Sequence, residues 1–137
     1  MEKFYNILII DDDQVNNFLF SRMVQAVGIS EKAEAVTSGK QGLVLLEEKI
    51  ASGEPLPQVI FLDINMPLMN GWEFLEKYNK MPSSIRSQID LYMLSSSVYP
   101  EDINKAKSHE DVVDYITKPL TKEILLKIHQ EHRQKYN

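Results

Sequence analysis

Apolar residues in this chain fall into short blocks separated by longer, mixed stretches. Four runs have strand length and end at polar or turn residues: 7–10, 59–62, 89–94 and 112–116. A weaker one lies at 33–36. Their shortness and β-branched content predict strands rather than buried helix. The stretches between them have helical spacing. Val15, Phe18, Leu19, Met23 and Val27 form a predicted apolar stripe, and Gly28 stands where that helix stops. Residues 42–50, 72–78 and 103–107 read as further helices, and Ile124, Leu125 and Ile128 give the last one an apolar face. The Pro-containing stretches 52–57 and 80–84 read as surface loops.

Strand and helix thus alternate about five times. Strands that are apolar throughout are buried on both faces, which implies a parallel sheet with helices on each side. The expected fold is α/β, a five-stranded parallel sheet in 2-1-3-4-5 order. The expected organisation is a single domain over residues 1–137, with no linker and no output domain. In such sheets ligands bind beyond the carboxyl ends of the strands, where the winding direction reverses, here between strands one and three. Asp11 and Asp12 follow the first strand and Asp63 follows the third. Two acidic clusters far apart in sequence therefore converge on the one crevice this fold offers.

Composition changes the picture little. Hydrophobic residues make up 43% and charged residues 26%, ordinary values for a globular protein. The net charge of -5 disfavours nonspecific attraction to nucleic acid or anionic membrane. The absence of cysteine excludes disulfides, thiolate metal sites and cysteine nucleophiles. The first apolar run is too short for a signal-peptide core or a membrane span, so a cytoplasmic protein is expected.

Clustered carboxylates must raise a pKa, recruit a cation or stay apart. Oxygen ligands of this kind suit Mg²⁺ or Mn²⁺. Helix capping is the ordinary role for Asp11 to Asp13; it accounts for one aspartate, not for three, and not for Asp63. Lys118 follows the fifth strand, and Ser95, with Ser96 and Ser97, follows the fourth. An ammonium and a hydroxyl facing a carboxylate-bound cation make a phosphate site. His109, His129 and His132 are scattered among charges and read as solvated surface, Trp72 as packing, and Gly71 as a turn residue.

Four segments carry a family resemblance. Ile7-Leu8-Ile9-Ile10-Asp11-Asp12-Asp13 resembles the opening of response-regulator receiver domains. The stretch from Phe61 through Asp63, Met66 and Pro67 to Gly71 resembles their phosphoacceptor segment. Met93-Leu94-Ser95-Ser96-Ser97 and Tyr115-Ile116-Thr117-Lys118-Pro119 resemble the segments after strands four and five. The blocks come in the family's order and span essentially the whole chain.

The resemblance implies a signalling domain rather than an enzyme. Asp63 would accept a phosphoryl group from a histidine kinase or a histidine phosphotransfer protein. Asp11, Asp12, Asp63 and the Asn65 backbone carbonyl would hold Mg²⁺. Ser95 and Lys118 would engage the phosphoryl group, and Tyr115 would turn inward with Ser95. Lys118-Pro119 would be cis. A downstream protein, or a second copy of the chain, would bind the face made by helix four, strand five and helix five. Ser95 stands where threonine is commoner and Ser96 where alanine is frequent, while Asn65 and Ser97 sit where the family tunes dephosphorylation. Two other readings remain open: a pseudo-receiver scaffold that is never phosphorylated, and a Mg²⁺-dependent phosphatase with an aspartyl nucleophile. Against the latter, position 65 is Asn and the segment lies on the third strand.

Overall fold

The structure is a computed structural model and describes residues 3–136. Its five strands are β1 (Phe4–Ile10), β2 (Ser30–Val36), β3 (Val59–Leu62), β4 (Asp90–Ser95) and β5 (Val112–Thr117). Its helices are α1 (Gln14–Val27), α2 (Gly39–Ser52), α3 (Gly71–Tyr78), α4 (Ser83–Arg86), α5 (Pro100–Ser108) and α6 (Lys122–Tyr136). All neighbouring strands pair in parallel, in the order β2-β1-β3-β4-β5. The expected fold is the observed one.

Alternation along the strands divides the core into two layers. Leu8, Ile10, Ile60, Leu62, Leu91 and Met93 pack against Phe74, Leu75 and Tyr78 of α3 on one face. Ile7, Ile9, Val59, Phe61, Tyr92 and Leu94 pack against Phe20, Val24, Leu125 and Ile128 of α1 and α6 on the other. Central strands buried on both sides need apolar residues at every position, which is why they read as unbroken runs. The site inherits its rigidity from them.

Local chemistry sets the helix ends. Asp13 caps α1 by accepting from the Val15 and Asn16 amides, and Gly28 ends it in a left-handed conformation at φ 74°. Asn70 and Glu73 form a reciprocal capping box at the start of α3.

Three expectations need correction. The stretch at 80–84, read as loop, leads into the short helix α4. The stripe on α1 lies only partly on the core: Met23 and Val27 pack against it, but Val15, Phe18 and Leu19 are 69%, 60% and 57% exposed, while Asn17, Phe20 and Val24, outside the stripe, are buried. Residues three and four apart share a helix face. Phe20, edge-on to Phe61 at 5.5 Å, fixes which face that is.

His129 and His132 are not surface residues either, being 3% and 9% exposed. Both rings meet Phe4 edge-on, at 4.9 and 4.8 Å. His132 Nδ1 lies 2.8 Å from Asp90 Oδ2, and Lys135 Nζ donates to Asp90 Oδ1 at 2.9 Å. Asp90 is buried at the start of β4, and a buried carboxylate requires such partners. His109 is half-buried, its Nδ1 accepting from the Asp111 amide.

Candidate functional site

The sheet's own hydrogen bonds carry the site residues past the strand ends. The Asp11 amide donates to Val36 O at 3.1 Å, Asp63 to Ile10 O at 2.9 Å, and Lys118 to Ser95 O at 2.9 Å. Each loop is thus pinned to its neighbour at its first residue. One ligand atom from each of Asp11, Asp12 and Asp63 falls within 4.8 Å of the others. Asp11 and Asp63 are buried and Asp12 is exposed, so the cluster opens to solvent on one side.

Lys118 enters this cluster from β5. Its Nζ donates to Asp11 Oδ2 at 2.7 Å and stands 3.8 Å from Asp63 Oδ1. The Lys118-Pro119 bond is cis. Asp11 is held on all sides: Oδ1 accepts from the Asp13 amide at 3.0 Å, Oδ2 also accepts from Asn16 Nδ2 at 2.9 Å, and its carbonyl accepts from Asn17 Nδ2 at 2.9 Å. Asn16 and Asn17 were missed in the sequence because nothing in a helical stretch marks an amide that turns back to the preceding loop.

The electrostatics follow from this geometry. The Asp63 carboxyl is pushed up from 3.8 to about 6, chiefly by burial and then by the charge of Asp11, with Asp12 adding to the rise and Lys118 opposing it. Burial pulls the Lys118 ammonium down, but its hydrogen bond to Asp11 and the charges of Asp63 and Asp11 leave its pKa raised. Repelling carboxylates and an elevated Asp63 mark a place where a cation belongs. Three hard oxygen donors open to water on one side suit a small divalent ion that keeps several waters.

Gly71 brings α3 unusually close to Asp63. Its amide donates to Ile64 O at 2.8 Å. A Cβ on Gly71 would come within 2.7 Å of Asp63 O and 2.9 Å of Ile64 Cα. In the same loop Leu68 is fully exposed and adopts a positive φ of 68°. Asn65, next but one to Asp63, is also exposed. Ser95, by contrast, is buried at the end of β4, where its Oγ accepts from the Ser97 amide at 3.1 Å. Tyr115 is buried, and its hydroxyl donates to Ser97 O at 2.6 Å.

Residues 7–130 match the response regulator receiver domain family. The chain belongs to that family. The receiver is similar over 93% of its length to a probable methanogenesis regulatory protein, FilR2, of Methanothrix harundinacea, at 28% identity and covering 81% of that protein. It is 32% identical over 124 residues to the sensor histidine kinase CheAY of Helicobacter pylori, but spans only 14% of that protein's length. Among solved structures, a two-component response regulator from Cytophaga hutchinsonii matches 95% of the receiver and 97% of its own chain at 34% identity, with a TM-score of 0.88.

Removing a carboxylate from the cluster tests its fitness for a cation. Loss even of an indirect partner costs about 10–100-fold in metal affinity, and Asp12 stands among the candidate ligands themselves. Asp12→Ala is expected to weaken Mg²⁺ binding at least about tenfold, measured by titration of the folded protein. Unchanged affinity would put the ion elsewhere.

Proposed function

We propose that this receiver accepts a phosphoryl group on Asp63 in a Mg²⁺-dependent reaction and responds by changing the loop after β4 and the face beyond it. The observation that carries the reading is the convergence of Asp11, Asp12 and Asp63 around one opening, with Lys118 reaching in from β5.

Asp11, Asp12, Asp63 and the backbone carbonyl of Asn65 would hold the ion. When bound, it neutralises charge on the transferring oxygens. The protein's own groups do the rest. Asp63, ionised, attacks phosphorus in line as the bond to the donor nitrogen breaks, and positioning supplies most of the acceleration. Lys118, 3.8 Å from Asp63 and already charged, needs only a small movement from Asp11 to pair with the new dianion. The Ser95 hydroxyl, whose oxygen accepts from the Ser97 amide, keeps its own proton to donate to a phosphoryl oxygen. The same groups remain in place when water later hydrolyses the acyl phosphate. Tyr115 links the change to α5, β5 and α6, the face on which a downstream protein or a second copy would dock. The numbering of that face shifts by one helix because α4 intervenes.

The exposed apolar face of α1 supports docking of a protein donor, a histidine kinase or a histidine phosphotransfer protein. Val15, Phe18 and Leu19 stand in solvent on the helix that begins beside Asp11 to Asp13. Exposed apolar groups gathered in one place are characteristic of an interaction site. No helix among the described residues is long and apolar enough to cross a membrane. The proposed place of action is the cytoplasm.

Exposure to a small phosphodonor and Mg²⁺ separates the three readings. A receiver carries at most one phosphoryl group per chain at any time, as read by intact-protein mass. Continuous turnover of generic phosphate esters would make it a phosphatase, and a chain that gains no mass would be a scaffold.

A further inference from the structure

Two neighbouring asparagines on α1 divide the work of fixing Asp11. Asn17 Nδ2 donates to the Asp11 carbonyl at 2.9 Å, and Asn16 Nδ2 donates to Oδ2 of the Asp11 carboxylate, also at 2.9 Å. Neither bond serves the helix. Asp13 already caps α1 by accepting from the Val15 and Asn16 amides, and Asn is a poorer helix former than Ala. Asn17 Oδ1 is moreover buried without a hydrogen-bond partner among the described residues, a cost that helix stability does not explain.

The lone pairs of Asp11 show what Asn16 does. Each oxygen of an ionised carboxylate accepts about two hydrogen bonds. Oδ2 has two donors, Asn16 Nδ2 and Lys118 Nζ, and is full. Among the described residues Oδ1 has one donor, the Asp13 amide, and keeps room for a cation. The two donors on Oδ2 differ in stiffness. Lys118 carries its ammonium on a flexible stem and stands 3.8 Å from Asp63 Oδ1, to which it can turn. Asn16 has a short, half-buried side chain on a capped helix, so the direction of its bond is fixed.

We propose that Asn16 is a positioning residue that selects the cation: by holding Asp11 Oδ2 it makes Asp11 offer a single oxygen, which favours Mg²⁺ over Ca²⁺. This rests on the proposed holding of Mg²⁺ by Asp11, Asp12 and Asp63. Mg²⁺ demands near-ideal octahedral geometry, whereas Ca²⁺ takes more ligands and accepts both oxygens of one carboxylate. Without Asn16, Asp11 is free to rock about its last bond and to present either oxygen or both. Ordering it again on binding weakens Mg²⁺, a cost that the more permissive ion escapes in part.

The test titrates the folded protein with Mg²⁺ and, separately, with Ca²⁺, by calorimetry. Asn16→Ala and Asn16→Leu are each expected to bind Mg²⁺ about tenfold more weakly than the wild type, the lower end of what losing the partner behind a metal ligand costs. Ca²⁺ affinity should fall less, so the preference for Mg²⁺ shrinks. Gln14 is exposed in the first turn of α1, and Gln14→Ala should match the wild type for both ions. Without metal, the Asn16 variants should melt where the wild type does, because Lys118 still pairs with Oδ2 and the helix gains a better former. Unchanged Mg²⁺ affinity in the folded variants overturns the role of Asn16 and leaves the Mg²⁺ site and the phosphoacceptor reading standing. Equal losses for the two ions overturn the selectivity, and a fall in the metal-free melting temperature of both variants makes Asn16 structural only. A wild type that binds no Mg²⁺, or binds it no better than Asp12→Ala, overturns the site on which the proposal rests. Should Asn16→Leu fail to fold, Asn16→Ala decides alone.

Discussion

Gly71→Ala is expected to destabilise the protein by roughly 2–3 kcal/mol, the upper part of the usual range for overpacking a tight site. Helix propensity alone gives the opposite sign, since Ala is favoured over Gly by roughly 1 kcal/mol within a helix. The local contacts decide. Two of the three nearest atoms to the new methyl are backbone, Asp63 O at 2.7 Å and Ile64 Cα at 2.9 Å, and the third is Met93 Cε at 3.1 Å. A methionine tip can swing aside, but the end of β3 is held by the bond from the Asp63 amide to Ile10 O. The strain therefore falls on the residue proposed as phosphoacceptor. A fall in melting temperature of roughly 6–12 °C is expected for a domain of this size, together with slower phosphorylation. A variant as stable as the wild type would show that α3 can withdraw from the site freely.

Asp63→Asn should stabilise the Mg²⁺-free protein at neutral pH. The folded carboxyl titrates at about 6, against 3.8 for an unperturbed aspartate, so the native protein holds a proton that the unfolded chain has already released. Stability therefore falls as pH rises from about 4 to about 6, and the full penalty is present above that window. In full, such a rise would represent ~3 kcal/mol. Water on the open side of the cluster screens part of it, leaving roughly 1–2 kcal/mol. The variant should melt roughly 3–8 °C above the wild type at pH 7.5, and the gap should close below about pH 4. Saturating Mg²⁺ should also narrow it, because binding to the native state stabilises the wild type. Thermal melts across pH with and without Mg²⁺ check this. A variant less stable than the wild type at pH 7.5 would mean that the Lys118 contact outweighs the repulsion.

How far the sequence revealed the site follows from where its information is local. The runs at 7–10 and 59–62 announce buried parallel strands, and the fold then dictates that residues just beyond them share a crevice. Asp11, Asp12, Asp63 and Lys118 could be brought together on that basis. The bond from Tyr115 to Ser97 could not, because it depends on the path of an irregular loop. The face of α1 was misjudged for a related reason. The apolar residues of α1 spread over a wide arc, of which Phe20, Met23, Val24 and Val27 pack on the core while Val15, Phe18 and Leu19 stand in solvent. Asp90 did leave a trace. A carboxylate beside a buried run demands cations, and His129, His132 and Lys135 recur at spacing three on the last helix. Reading Asp90 as a buried charge in need of partners would have taken His132 off the solvent face and paired Lys135 with the carboxylate.

The central claim is that Asp63 is where the phosphoryl group goes. It is tested most directly by locating that group after reaction with a small phosphodonor and Mg²⁺. Reducing the acyl phosphate with borohydride converts the modified aspartate to homoserine, which peptide mass mapping can place. The expected result is conversion at Asp63 alone, with none in Asp63→Asn. Conversion at Asp11, Asp12 or any other carboxylate in the wild type, with Asp63 untouched, would contradict the account.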